Sequence, residues 1–474
     1  MGLVEYFTPV SGTVGGGLIG LSAAILLLFS GEILGCSGIA SSVVLHPKRH
    51  LQDPQLAWKL VFISTFLLFS NVCLGKYFTD DERLGSDPSI PVVSNWGYLL
   101  GGLFVGFGTR LGNGCTTGHG ICGMARLSIR SVAAVCAFML TAFATSAAIS
   151  PDNKALAHGT AFLRTTTVPE FFNRWLGFGC SFIFVVPTII AMHNLWKHEK
   201  NRQAIITTIE DDVSKFFPNA KLSDLLEHAR TEACHCNELE SDYLDSAEPS
   251  LNLATKYDST SDIENPTQAR SSQTDIEVKL EAATDVSSQG KQGLDKKWAE
   301  LQKTLRDNEK QSSDGKILPA VIAACIFSSG LAISQMVLPS KVLGFLSLYT
   351  LANGTYDPTL ITVMVGGSVV SFLSYQFVEG WGIIKNPWAR SCPLTSSTFC
   401  VPTNKTIDWK LILGSCCFGV GWATAGLCPG PAVFLAASGT KPVLAFWWPF
   451  YYIGAIMAQQ VQHHTMKGKT SNST

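Results

Sequence analysis

Two cysteines lie in glycine-rich stretches that are flanked by apolar sequence. Cys115 lies in GFGTRLGNGCTTG, which begins at Gly106, and Cys428 lies in GVGWATAGLCPG, which begins at Gly419. Each cysteine comes nine residues after the first glycine of its stretch. A neutral thiol is polarizable and is a weak hydrogen-bond donor, so it suits a soft ligand atom. The two stretches therefore predict contacts with a soft, polarizable ligand.

The residues around the cysteines also suit a negatively charged ligand. Glycine lets the backbone approach an ion closely. Pro429 and Pro431 favour a helix that starts directly after Cys428 and aims free N–H groups at it. Such groups offer partial positive charge without a full cation, and ion conduction needs weak binding of this kind. The pattern therefore suits a small anion that is bound weakly.

Other residues are candidates for the same site. Glu32 and Arg110 lie in or near apolar segments, where charges are functional candidates, and the alternative is that they pair with each other. His119 is predicted to donate to the anion or to a backbone carbonyl. The neighbours of the two cysteines that could line the path are Gly114, Thr116, Thr117, Gly118, Gly426, Pro429 and Gly430. The cysteines that are predicted to be small core residues are Cys73, Cys136, Cys180 and Cys325.

The elements that must position these residues are apolar. The chain has 474 residues, of which 46% are hydrophobic and 15% are charged, which indicates a membrane protein. Helices that cross a hydrocarbon core need about 20 apolar residues. The predicted spans are 13–30, 57–75, 96–109, 131–150, 172–193, 317–338, 358–378, 409–424 and 442–462. Three further apolar, glycine-rich segments, 31–45, 110–126 and 425–440, are predicted to be re-entrant or broken helices.

Charge divides the chain into three parts, which are residues 1–196, 197–316 and 317–474. More than half of the charged residues fall in the middle part, which we predict to be a hydrophilic and largely flexible insert. Within it, KLSDLLEHA and LDKKWAELQKTL are predicted to be helical. The adjacent residues Cys234, His235 and Cys236 have no second cluster, so we predict no metal site and no cofactor. The formal net charge of −1 does not suggest a nucleic-acid partner.

The cysteine stretches are part of an internal repeat. A second, looser pair, residues 20–35 and 329–344, occurs in the same order on the two sides of the insert. Five spans precede the insert and four follow it, so the second half is predicted to be inverted relative to the first. The sequence thus predicts an all-α integral membrane protein with about nine transmembrane helices and two inverted repeats. The distribution of Lys and Arg places the N-terminus outside and the insert and C-terminus in the cytoplasm, with the plasma membrane as the expected location.

Both cysteine stretches resemble the signature segments of the YeeE/YedE family of sulfur-compound transporters, which includes bacterial thiosulfate importers. The resemblance covers both apolar halves but not the insert. It implies an hourglass-shaped helical fold, import of thiosulfate or a similar sulfur anion, and a path lined by three cysteines. Cys115 and Cys428 match the second and third of these. Cys36, in SGEILGCSG, matches the first on the resemblance alone, since Phe345 stands at the corresponding position of the second half.

Two other classes of function stay open at this point. A membrane sulfurtransferase-like enzyme would form a persulfide on a thiol whose pKa is lowered, for which Arg110 is a candidate. A sensor or scaffold would use residues 197–316 as its output. The duplicated motif and the many spans favour a transporter over an enzyme. Besides the sulfur anion, the expected partners are the lipid bilayer and a cytoplasmic sulfur-accepting protein, and the sequence gives no indication of the oligomeric state.

Overall fold

The fold is helical, as predicted. The computed structural model describes residues 7–74, 92–149, 163–165, 174–216, 300, 303–305, 314–353, 356–380, 386, 388–396, 399–402 and 405–471. Among these residues, the extended structure consists of two short strands, β1 (Val92–Val93) and β2 (Arg164–Thr165), which pair in antiparallel register, and a bridge between Val378 and Arg390. The all-α class that the sequence predicted is confirmed.

The chain contains both long and short helices. The helices of the first part are α1 (Pro9–Ile25), α2 (Cys36–Leu45), α3 (Pro47–Gln52), α4 (Ala57–Phe69), α5 (Asn95–Leu111), α6 (Thr116–Gly123, wound as a π-helix), α7 (Ile129–Ile149) and α8 (Arg174–Phe216). Those of the last part are α9 (Ile317–Ile333), α10 (Pro339–Leu346), α11 (Thr359–Tyr375), α12 (Trp409–Ala425), α13 (Pro429–Ala437) and α14 (Trp448–Ser471). Further π-helical turns are Leu26–Ser30, Ser70–Leu74 and Val443–Trp447, and 3-10 turns are Pro54–Leu56, Asp314–Lys316 and Leu348–Asn353.

Each predicted span overlaps one of the long helices, and the chain is an integral membrane protein. In the described part of the chain, five helical stretches are long and apolar enough to cross a membrane. These are Pro9–Ser30, Pro54–Cys73, Ile129–Ile149, Trp175–Asp211 and Trp409–Ala437. The helices α7 and α8 expose large apolar side chains such as Leu140 and Ile183, which suits contact with lipid.

The three irregular apolar segments each contain a short helix, and each short helix starts at a cysteine. Cys36 is the first residue of α2, while Cys115 and Cys428 directly precede α6 and α13. In the last two cases the cysteine backbone is extended and the helix begins one residue later. The chain therefore turns at the thiols, which places the N-terminal N–H groups of three short helices beside them.

The two membrane parts have the same order of elements. With α3 and α8 set aside, the order long, short, long, long, short, long is found in α1 to α7 and again in α9 to α14. The packing partners correspond as well. The helix α1 packs on α11 as α9 packs on α4, and α5 packs on α14 as α12 packs on α7. The equivalent helices α1 and α9 pack on each other, and so do α5 and α12.

Glycine residues make the contact between α5 and α12 close. A Cβ atom on Gly108 would lie 2.6 Å from the carbonyl oxygen of Gly414, and one on Gly101 would lie 3.1 Å from that of Gly421. The two helices therefore cross in antiparallel directions. Gly101 and Gly414 stand fourteen residues before Cys115 and Cys428, and the other two glycines stand seven residues before them. The contact is consequently the same when the two halves are exchanged.

The chain forms two compact units. The first contains residues 1–195 and 313–474, and the second contains residues 196–312. In the second unit, Glu199 and Arg202 form an ion pair of 2.7 Å one helical turn apart. Residues 303–305 of the predicted helix LDKKWAELQKTL are helical. The predicted helix KLSDLLEHA and the residues Cys234, His235 and Cys236 lie outside the described residues.

Candidate functional site

The cysteines Cys36, Cys115 and Cys428 come together in the interior of the first unit. Cys36 and Cys115 are buried, and Cys428 is partly exposed and packs against the same core. Each thiol lies within electrostatic range of the other two. The structure thus brings together three cysteines that are far apart in the sequence, including Cys36, which has no counterpart in the repeat.

The groups around the thiols are hydroxyl and backbone groups. The Thr116 side chain and the Gly430 backbone are hydrogen-bond partners of Cys428. Among the described residues, the titratable neighbours that act on the thiols of Cys36 and Cys428 are other cysteines rather than lysine or arginine. No group of three or more His, Cys, Asp or Glu side chains in the described part of the chain could hold a metal ion. The site offers thiols and helix N-termini, which suit a small anion that is bound weakly.

The residues on either side of Cys428 determine the path of the backbone there. Gly426 ends α12 in the left-handed conformation with a φ of 66°, and a Cβ atom there would lie 2.8 Å from the Pro339 carbonyl oxygen. Pro429 occupies the first turn of α13, as predicted from its fixed φ. A Cβ atom on Gly430 would lie 3.3 Å from the ring of Phe327. These residues shape the backbone that presents the Cys428 thiol.

His119 is engaged on both ring nitrogens. Nε2 lies 3.2 Å from the carbonyl oxygen of Gly112, and Nδ1 lies 3.2 Å from Oγ of Ser131. A Cβ atom on Gly114 would lie 2.5 Å from Nε2 of His119, so glycine is needed there for the ring to fit. Of the two roles predicted for His119, these contacts favour the hydrogen bond to a carbonyl. The imidazole fixes the turn that precedes Cys115.

Glu32 has a different ion-pair partner from the predicted one. The structure pairs Glu32 with Lys316, with 2.7 Å between Oε1 and Nζ, rather than with Arg110. The reason is that α9 starts at the end of the bundle where α1 stops, which brings Lys316 beside Glu32. Arg110 lies in the last turn of α5, where its carbonyl oxygen accepts a hydrogen bond of 3.1 Å from Gln462.

Several cysteines that were predicted to be core residues lie on the surface. Cys73 and Cys136 are exposed, and Cys180 and Cys325 are partly exposed. That part of the prediction is wrong, because an apolar helix in a membrane can present a thiol to lipid as easily as to the core. The same exposure makes Cys136 a useful control position, since it lies on the outward face of α7.

Two residues near the thiols were not identified from the sequence. Cys122 in α6 is buried, and its thiol donates to the carbonyl oxygen of Leu34 at 3.7 Å. Tyr451 is fully buried and within electrostatic range of Cys36 and Cys115. Its hydroxyl donates to the Ser37 carbonyl oxygen at 3.3 Å. Cys122 belongs to the same glycine-rich stretch as Cys115 and could have been noticed there, whereas Tyr451 lies in an aromatic run with no distinguishing signal.

Open space lies at two glycines that are close to the cysteines along the chain. Cβ atoms on Gly35 and Gly118 would meet nothing within 4 Å. Gly35 directly precedes Cys36, and Gly118 lies three residues after Cys115. Both residues are partly exposed, so the space beside them is reachable by solvent-sized molecules. We take this space as the candidate path.

We expect Gly118→Val to reduce transport without unfolding the protein. The added methyl groups enter open space, so no backbone has to move, but they narrow the path by the width of a side chain. Uptake of labelled thiosulfate should fall by about tenfold at equal membrane abundance, since a narrow site is sensitive to small displacements. Gly179→Val is the matched control, because Gly179 also has nothing within 4 Å but lies on the exposed face of α8. Equal losses in both variants would contradict the assignment of the path.

Comparison with known proteins identifies the family. Residues 6–145 match the model of a family described as sulphur transport, and residues 315–469 match that of a family of unknown function. A probable transporter of Xylella fastidiosa (strain 9a5c) is 36% identical over 127 residues, which are 27% of this chain and 79% of that protein. Another from Xylella fastidiosa (strain Temecula1 / ATCC 700964) is 37% identical over 146 residues, 30% of this chain and 93% of that protein. No solved structure matches the chain. The chain belongs to the YeeE/YedE-like family of sulfur transporters, which indicates a membrane transporter and not an enzyme.

Proposed function

We propose that this protein imports thiosulfate, or a closely related small sulfur anion, through the path lined by Cys36, Cys115 and Cys428. The observation that carries the proposal is the convergence of these three thiols at the starts of three short helices. Thiosulfate is a dianion with one soft terminal sulfur. The thiols offer contacts to that sulfur, and the helix N-termini offer partial positive charge to the oxygens.

Among the described residues, no lysine or arginine acts on the thiols of Cys36 and Cys428. This suits a site that releases the anion better than one that retains it. A buried cation would hold a dianion tightly and release it slowly, whereas several weak sites in sequence allow passage. Arg110, which a persulfide-forming enzyme would need beside its thiol, is absent from the groups that act on Cys36 and Cys428.

We further propose that the two membrane parts are inverted repeats that meet at the thiols. The support is the common order of helices, the corresponding packing partners and the antiparallel contact of α5 with α12. The length of the relatives supports it as well. The matched 127 and 146 residues make up most of each relative, so each has about the length of one membrane part of this chain. We also propose that the N-terminus lies outside, that residues 197–316 and the C-terminus lie in the cytoplasm, and that the membrane is the plasma membrane.

Transport of labelled thiosulfate into liposomes that contain the purified protein tests the proposal. We expect saturable uptake that excess unlabelled thiosulfate suppresses. Excess sulfate, which has the same charge but no soft sulfur, should suppress it far less. Empty liposomes give the background rate. Uptake no faster than this background, or equal suppression by sulfate, would contradict the proposed substrate.

A further inference from the structure

Two mostly buried ion pairs lie in the first unit apart from the thiols. Nζ of Lys316 lies 2.7 Å from Oε1 of Glu32, and Nζ of Lys341 lies 3.0 Å from Oδ2 of Asp357. The four side chains are exposed by 4 to 16% of their surface. Charged groups buried in this way are costly, and in a membrane protein they mark functional positions. The path of thiols and helix N-termini does not account for either pair.

One member of each pair occupies an equivalent position in the two membrane parts. Glu32 and Lys341 align in the looser of the two sequence repeats. Lys316 is the residue directly before α9, and Thr8 is the residue directly before α1. Nζ of Lys341 lies 3.4 Å from Oγ1 of Thr8, so Glu32 and Lys341 each contact the residue that precedes the first long helix of the other part.

An aspartate that precedes the next long helix lies near the lysine of each pair. Asp53 and Asp357 each accept a hydrogen bond from the backbone N–H two residues further on, at 2.9 and 3.0 Å. Both lie shortly before the next long helix, α4 or α11. Asp53 is within electrostatic range of Lys316. Asp357 forms the ion pair with Lys341. The same three-point arrangement of charged or polar groups is therefore built twice.

The two arrangements stand at opposite ends of the helices. A Cβ atom on Gly15 of α1 would contact Ser334 at the end of α9, whereas one on Gly330 would contact Ile19. The helices α1 and α9 are thus antiparallel, and their first residues lie at opposite ends. The Lys316 pair consequently belongs to one face of the membrane and the Lys341 pair to the other.

We propose that the two ion pairs are the gates at the two ends of the path, and that the transported anion opens each gate by competing with the carboxylate for the lysine, which the carboxylate then reclaims, so that the anion is not held. Glu32 lies four residues before Cys36, and Lys341 lies in α10, the corresponding short helix. Each pair therefore fixes a segment that borders the path. A sulfur oxyanion can replace the carboxylate as the partner of the lysine, because both present anionic oxygens to the ammonium group. Arrival of the anion frees the segment, and its departure restores the pair.

This proposal rests on the proposed transport function, but it can be tested without measuring transport. The probe is a membrane-impermeant, anionic methanethiosulfonate reagent, and the readout is its rate of reaction with Cys428, identified by mass spectrometry. Sealed vesicles of the two orientations are distinguished by whether added protease cuts within residues 197–316. Glu32→Gln should raise the rate by about tenfold from the face of the insert only, since the open state gains population when the pair is lost. Asp357→Asn should raise it from the opposite face only.

Matched variants separate gating from damage to the fold. Asp408→Asn removes the ion pair of the exposed Asp408 with the mostly buried Arg130 and keeps a residue that caps α12, so the labelling rate should stay unchanged. The double variant Glu32→Lys with Lys316→Glu restores a pair and should return the rate to that of the wild type. Equal labelling from both faces in the single variants, or no increase from either, would overturn the gates. If the variants are labelled from one face only, as expected, but the protein does not transport thiosulfate, the proposed substrate is overturned and the proposed gates are supported.

Discussion

Cys115→Ala and Cys428→Ala are each expected to lower thiosulfate uptake by about ten- to a hundredfold at matched membrane abundance, the range expected when a hydrogen bond to a charged group is lost. The thiols stand where the chain turns into α6 and α13, beside the proposed path. Each substitution removes one sulfur atom and adds no bulk, so we expect only a modest loss of stability. Initial uptake rates into liposomes, with protein amount measured in the same vesicles, give the comparison.

Serine in place of the same cysteines distinguishes a sulfur contact from a simple hydrogen bond. Cys115→Ser and Cys428→Ser keep the size and a donor but replace a polarizable sulfur by oxygen. We expect both to be substantially impaired. Cys136→Ser is the matched control, because this cysteine lies on the outer surface of α7, and its uptake should equal that of the wild type. Wild-type rates in the alanine and serine variants would show that the cysteines fill space and do not contact the anion.

Gly108→Leu is expected to prevent stable folding, which is the largest effect on stability in this set. A Cβ atom on Gly108 would already overlap the backbone of Phe418 on α12, and the remainder of the side chain has no space to occupy. Overpacking of this kind costs about 3 kcal/mol or more, since backbone rather than a flexible side chain must move. The yield of monodisperse protein and the midpoint of thermal unfolding measure the effect.

Gly179→Leu provides the control for that substitution. Gly179 lies on the exposed face of α8, and a Cβ atom there would meet nothing within 4 Å. The variant should have the yield and unfolding midpoint of the wild type. If Gly108→Leu behaved in the same way, α5 and α12 would have to be further apart than the structure places them.

The helical class and the positions of the long helices could be predicted because the signal is local. Runs of apolar residues such as those of α7 and α9 contain the information within a few turns. Cys115 and Cys428 could be selected because their stretches repeat, and Pro429 correctly indicated where α13 starts. These features depend on composition and spacing along the chain and not on contacts between distant segments.

The partners of buried polar groups could not be predicted in the same way. Glu32 pairs with Lys316, which is 284 residues away, and nothing in either local sequence selects that partner over Arg110. Cys136 was placed in the core because the hydropathy of α7 is high on all sides and does not reveal which face meets lipid. Such outcomes depend on how the helices are rotated and packed, which only the assembled structure defines.

Three helices of the first unit are shorter than a membrane is thick. These are α5, α9 and α11, which have 17 residues each, whereas α7 has 21 and α1 continues through its π-helical turn to Ser30. At about 1.5 Å per residue, 17 residues measure roughly 25 Å, which is less than a hydrocarbon core of about 30 Å. We expect the bilayer to thin around such helices, so that the transmembrane voltage falls over a shorter distance. For the proposed sulfur dianion, an inside-negative voltage of about 100 mV opposes import by about 4.6 kcal/mol, whatever that distance is. We therefore expect net accumulation to require an energy source, such as a co-transported proton or rapid consumption of the anion inside.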